Sequence, residues 1–120
     1  MEKFVIVRTA SGYRFDLRAA NGECIAGSEV YSSLALCRKG IASVEKCAPT
    51  AGFADLTAGS PKARHPRFEL YLDKRGEYRF RLTARNGKVI AASQGYSSRA
   101  GCENGIESVR KNARAEDPAQ

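Results

Sequence analysis

Arg14 and Arg18 in one stretch, and Arg79, Arg81 and Arg85 in a second, keep one strand parity opposite a run of apolar side chains. A guanidinium can grip a phosphate through two parallel hydrogen bonds, and a row of them can neutralise a phosphate backbone. The chemistry open to this pattern is capture of a polyanion, such as a nucleic acid. Two features pull the other way. Tyr13, Phe15, Tyr78 and Phe80 fall on the opposite side of the same stretches, so no stacking platform for bases is interleaved with the arginines. Asp16 also interrupts the first row. A solvated, charged, edge-protecting face is the plainer reading.

The other reactive residues offer less. The four cysteines, Cys24, Cys37, Cys47 and Cys102, form no C-x-x-C pair, and His65 is the sole histidine, which is not the spacing of a zinc site. Cys37 and Cys102 lie on apolar stripes, where a free thiol packs as a small hydrophobe. Cys47 has Asn112 as its counterpart, which argues against a symmetric thiol role. His65, between Arg64 and Pro66 in a connection, has no catalytic partner nearby and reads as a solvated side chain. Ser32-Ser33 and Ser97-Ser98 lack the G-x-S-x-G surroundings of a nucleophile, and no glycine-rich phosphate loop is present. The expectation is no catalytic residue, no metal and no cofactor. A pocket using Tyr31 and Tyr96 is the enzymatic alternative.

These residues are positioned by a stretch that is written twice. Tyr13–Ala48 and Tyr78–Ala113 align without a gap, with about 21 of roughly 36 positions identical, the mark of an internal duplication. Upstream, Phe4-Val5-Ile6-Val7 matches Phe68-Glu69-Leu70-Tyr71 once Glu77 is taken as an extra residue. One copy of about 50 residues is marginal for a core of its own, so the two copies are expected to share one.

Within each copy, Tyr13, Phe15, Leu17 and Ala19, then Tyr78, Phe80, Leu82 and Ala84, alternate with polar residues, as in a strand with one buried face. Asn21-Gly22 and Asn86-Gly87 are hairpin turns. A two-residue loop would pair Leu17 with Ala26, whereas a three-residue loop, Ala20-Asn21-Gly22, would pair Leu17 with Ile25. Ile25 and Ile90 recur in both copies, which favours three. Beyond Tyr31-Ser32-Ser33 and Tyr96-Ser97-Ser98, where a serine can cap, the stripes Cys37, Ile41, Val44, Ala48 and Cys102, Ile106, Val109, Ala113 predict amphipathic helices. Gly40 and Gly105, mid-helix, suggest close approach to another backbone, such as the partner helix.

The pattern YRF-x-L-x-A-x-NG, then IA-x-S, YSS and GI-x-SV-x-K, resembles the YegP-like family of small bacterial proteins, whose biochemical function is unknown. The resemblance implies β-β-β-α-β repeats building one antiparallel sheet, the last strand of each exchanged onto the other half. The layout expected is repeat 1 over 1–48, a connection over 49–66 with an exchanged strand at 52–57, repeat 2 over 67–114, and a frayed tail over 115–120. Repeat 2 departs from the pattern after Ala113, where Arg114-Ala115-Glu116-Asp117-Pro118 is a poor strand. The fold class is α+β, with two helices on one face of the sheet.

The net charge of +7 favours acidic partners without naming one. There is no membrane-spanning run and no signal peptide, which points to the cytoplasm. A chain holding both copies satisfies itself as a monomer. The expected function is a non-enzymatic binding or assembly module of unknown partner. The alternative from another class is sequence-independent nucleic-acid binding through Arg14, Arg18, Arg79, Arg81 and Arg85.

Overall fold

Alternation of apolar and polar residues becomes a sheet only when each strand finds partners in register, and here the two copies supply them to each other. A computed structural model describes residues 3–59 and 63–113. The elements are β1 (Phe4–Thr9), β2 (Gly12–Arg18), β3 (Cys24–Gly27), α1 (Leu34–Cys47), β4 (Gly52–Asp55), β5 (Arg67–Leu72), β6 (Tyr78–Thr83), β7 (Val89–Ala92) and α2 (Arg99–Asn112). The seven strands form one sheet in the order β1-β2-β3-β7-β6-β5-β4. Phe15, Leu17, Phe68, Leu70, Phe80 and Leu82 share one face and are at most 1% exposed. Both helices lie on this face, α1 over β2 and β7, α2 over β6 and β3. Each helix therefore covers a strand of its own repeat and a strand of the other.

The hairpin loop has three residues, as expected. The amide of Ala19 donates to Glu23 O and that of Gly22 to Ala19 O, both at 2.9 Å, with Gly22 at φ +86°. The expected pairing of Leu17 with Ile25 does not follow. Leu17 faces Ala26 and Arg18 faces Cys24, so Ile25 is an extra residue in β3. A β-bulge at this point turns two successive side chains inward, and Ile25 (6% exposed) and Ala26 (2%) both enter the core. The second repeat has the same bulge at Ile90, where Leu82 faces Ala91 and Thr83 faces Val89.

The sheet is not wholly antiparallel. β4 pairs with β5 in parallel, Phe53 beside Phe68 and Asp55 beside Leu70. β5 starts at Arg67, level with Gly52 at the start of β4, and runs in the same direction. The strand ends at Asp55, short of the expected 57. A last strand of repeat 2, and the expected frayed tail, lie outside the described residues.

Ser33 and Ser98 cap the helices, their hydroxyls accepting from the amides of Leu36 and Gly101 at 3.1 and 3.0 Å. Gly40 and Gly105 approach aromatic side chains, not the backbone of the partner helix. A Cβ on Gly40 would stand 2.5 Å from Tyr31 Oη and 3.1 Å from Phe15 Cε2, and one on Gly105 would meet Tyr96 Oη and Phe80 Cε2 at 2.6 and 2.8 Å. Tyr31 is also tied to β2 through its main chain, which exchanges hydrogen bonds with Tyr13. The missing Cβ thus lets the helix settle onto a ring pair: Phe15 stacked on Tyr31 in one repeat, Phe80 on Tyr96 in the other.

Candidate functional site

The strand register places Arg14, Asp16 and Arg18 on the face turned away from the helices, with Arg67, Glu69, Tyr71, Arg79 and Arg81 on the same face of the other half. These arginines are held by carboxylates. Asp16, 6% exposed, pairs with Arg14 and stands 3.6 Å from Arg18, which also donates to Gly22 O at 3.1 Å. Glu69, 5% exposed, receives Arg81 Nε and Arg67 Nη2, each at 2.6 Å. Asp73 receives Arg79 Nε at 2.7 Å. Burial by itself would raise the Glu69 pKa, but the hydrogen bonds from Arg81 and Arg67 outweigh it and hold the carboxyl below its ordinary value. The hydrogen bond from Arg79 does the same for Asp73. The Arg81 guanidinium also lies over the Tyr71 ring, 4.6 Å from its centroid.

Sequence reasoning missed Arg67, Glu69, Tyr71 and Asp73. The signal was there for two of them, because Phe-Glu-Leu-Tyr-Leu puts Glu69 and Tyr71 opposite in parity to Phe68 and Leu70. Only the β5–β6 register, however, shows them facing Arg81 and Arg79.

Arg85 stands apart from the other four. It lies in the β6–β7 hairpin, is exposed, and meets no carboxylate among the described residues. With Lys46 on the last turn of α1 it flanks a cleft of about 370 Å³, lined also by Ser43, Thr50, Pro66 and Asn86. The cleft arises because the helix of one repeat reaches over the hairpin of the other. Its counterpart, between α2 and the β2–β3 hairpin, is lined by Ala20, Asn21, Ser108 and Lys111, and in addition by Glu107.

Cys37 and Cys102 are fully buried, and burial pushes both thiols up, Cys102 to about 11. Cys47 is buried and Cys24 exposed. His65 is exposed yet anchored, with Nδ1 2.7 Å from the buried Thr83 Oγ1, so it is not the free solvated side chain that its place in the connection suggested. Tyr31 and Tyr96 are half-buried against Phe15 and Phe80, and that burial raises both phenols. Among the described residues no helix is long and apolar enough to cross a membrane.

A family model described as a domain of unknown function (DUF1508) matches the chain twice, over residues 9–55 and 73–117. The chain belongs to this family. The two DUF1508 matches each contain one of the duplicated stretches, Tyr13–Ala48 and Tyr78–Ala113. Among relatives, the UPF0339 protein YegP of Yersinia pestis is 39% identical over 100 residues, 83% of this chain and 77% of that one. A UPF0339 protein of Bordetella pertussis is 40% identical over 110 residues, 92% and 86% of the two chains. A UPF0339 protein of Methanosarcina acetivorans matches a single stretch, 64% identical over 47 residues, 39% of this chain and 81% of that one. The fold is similar to the solution NMR structure of yegP from E. coli, a protein of unknown function, with a TM-score of 0.76 and 32% identity over 94% of this chain and 86% of that one. It is similar also to that of a UPF0339 protein from Shewanella oneidensis, with a TM-score of 0.75 and 31% identity over 93% and 84%. No established activity comes with the family.

Proposed function

We propose that this DUF1508 chain is a non-enzymatic binding module that accepts an extended segment of a partner polypeptide along the outer edge of β1. The observation that carries this reading is an asymmetry between equivalent residues. Phe68, Leu70 and Ile106 are at most 2% exposed where β4 covers the edge of β5. Their counterparts Phe4, Ile6 and Ile41 are only partly buried, and among the described residues no strand lies outside β1. An uncovered strand edge beside an apolar helix flank is the seat that strand addition uses.

The occupied seat beside β5 is the guide to the kind of ligand proposed. β4 docks through main-chain bonds, Leu56 N to Leu70 O at 2.8 Å, and through α2, where Arg99 holds Asp55 and Arg110 donates to Ala51 O at 2.7 Å. On α1 the corresponding positions are Leu34, which is exposed, and Glu45. The seat beside β1 therefore favours an apolar residue where β4 carries Asp55. Arg38 and Lys39 replace Glu103 and Asn104, which favours an acidic residue toward the helix. The arginines of the open sheet face lend the polyanion reading less support, because Arg14, Arg18, Arg79 and Arg81 are already matched by carboxylates.

A synthetic peptide of sequence Ala51–Thr57 carrying Asp55→Leu is the probe. Titrated into isotope-labelled protein, it is expected to shift the amides of Phe4–Thr9 and of Ile41, and to bind more tightly than the unsubstituted peptide. Unmoved β1 amides at millimolar peptide would reject the proposal. So would shifts confined to a chain cut after Ala113, which would assign the seat to residues 114–120.

A further inference from the structure

The two inter-repeat clefts share a frame and differ in charge, and that difference points to a ligand. In both, a helix offers a serine and a lysine, Ser43 and Lys46 or Ser108 and Lys111, to the Asn-Gly turn of the other repeat. Just before that Asn-Gly pair one cleft has Arg85 and the other Ala20. Among the described residues no carboxylate lines the Arg85 cleft, whereas Glu107, one turn before Lys111 on α2 and 3.5 Å from Arg110, lines its counterpart. Among the described residues, Lys46 and Arg85 thus bring two positive charges to one concavity with no carboxylate in its lining, while the lining of the sister cleft carries one charge of each sign.

We propose that the Lys46–Arg85 cleft binds the dianionic phosphoryl group of a small phosphate monoester. Arg85 offers a planar fork of donors and Lys46 a compact charge, a pairing suited to an anion with several oxygens and more than one charge. The hydroxyls of Ser43 and Thr50 have no hydrogen-bond partner among the described residues. Asn86 Oδ1 accepts from Lys88 N at 3.0 Å, which leaves the amide NH2 of Asn86 as a further donor. The volume, about 370 Å³, suits a small molecule and not a duplex. A monoester carries close to two charges at neutral pH, and a phosphodiester only one, so the paired cations favour the former. The site is independent of the β1 edge, since neither α1's Ile41 flank nor any residue of β1 lines it.

Inorganic phosphate, followed by glycerol phosphate, is titrated into the full chain at constant ionic strength and read through amide shifts. Saturable shifts are expected at Lys46, Asn86 and Gly87, with none at Asn21, Gly22 or Lys111. Arg85→Ala and Lys46→Ala are each expected to weaken binding by about tenfold or more, in line with loss of a charge-assisted contact. Both residues are exposed, so folding is checked simply by comparing thermal melts. Ala20→Arg with Glu107→Gln is expected to create binding at the sister cleft. Equal shifts at both clefts of the unsubstituted chain, an unaltered affinity in Arg85→Ala, or tighter binding of a single-stranded oligonucleotide than of the monoester at this cleft would each overturn the proposal.

Discussion

Gly27 and Ala92 are the same residue position of the two repeats, and they face each other across the β3–β7 pair. A local two-fold axis runs between them. β3 and β7 are short, and the helices above them cross the axis, α1 onto β7 and α2 onto β3. The central seam is thus held by helices that belong to both halves.

Separating the halves should remove that support. Residues 1–59 and 63–120, expressed apart, are expected to be unfolded when dilute, or to fold only as self-associated pairs. Sedimentation with urea denaturation distinguishes these outcomes from a cooperatively folding monomer, which would contradict the shared core.

Gly40 sits where a methyl group has no room. Gly→Ala in a helix ordinarily gains about 1 kcal/mol, but here the new Cβ would press on Tyr31 Oη at 2.5 Å and Phe15 Cε2 at 3.1 Å. Overpacking of this kind costs roughly 1–3 kcal/mol. Gly40→Ala and Gly105→Ala are therefore expected to lower stability in urea melts. Adding Tyr31→Phe should recover part of the loss in Gly40→Ala, and a double-mutant cycle measures that coupling.

Glu69 makes the open face sensitive to acid. Its folded pKa lies below the ordinary 4.5 because Arg81 and Arg67 stabilise the carboxylate against the effect of burial. A lowered carboxyl pKa contributes stability that is present above the unfolded value and is lost as pH falls through the folded one. Stability should decline below about pH 4.5, and Glu69→Gln should flatten that decline while costing about 2 kcal/mol at neutral pH, less than a fully enclosed pair because Arg81 reaches water. Arg81→Ser should shift the Glu69 titration upward, as carbon-detected NMR of the carboxyl group would show.

The four thiols should react in order of exposure. Cys24 is exposed, and Cys37, Cys47 and Cys102 are buried, with Cys102 raised to about 11. At pH 8 an aromatic disulfide reagent is expected to modify Cys24 first, Cys47 at the cleft more slowly, and Cys37 and Cys102 only on unfolding. Rapid modification of Cys102 in the native protein would contradict its place on the buried side of α2.

Much of this was legible from spacing alone. The duplication, the inward run Tyr13, Phe15, Leu17, the hairpin turns and the capping Ser33 and Ser98 are local features, set by periods of two and 3.6 residues and by which residues tolerate a turn. The bulges at Ile25 and Ile90 were not legible, because an extra residue in one strand is defined only by the strand opposite. The parallel direction of β4, the aromatic seats of Gly40 and Gly105, and the pairing of Glu69 and Asp73 with the arginines escaped for the same reason. Arg14, Arg18, Arg79, Arg81 and Arg85 look alike in the chain. Pairing distance separates them, since a guanidinium 2.6 Å from a carboxylate and one facing an open cleft differ only in what another strand or helix brings near. Sequence by itself determined the elements and their buried faces, and tertiary structure decided which arginines meet a carboxylate and which, among the described residues, do not.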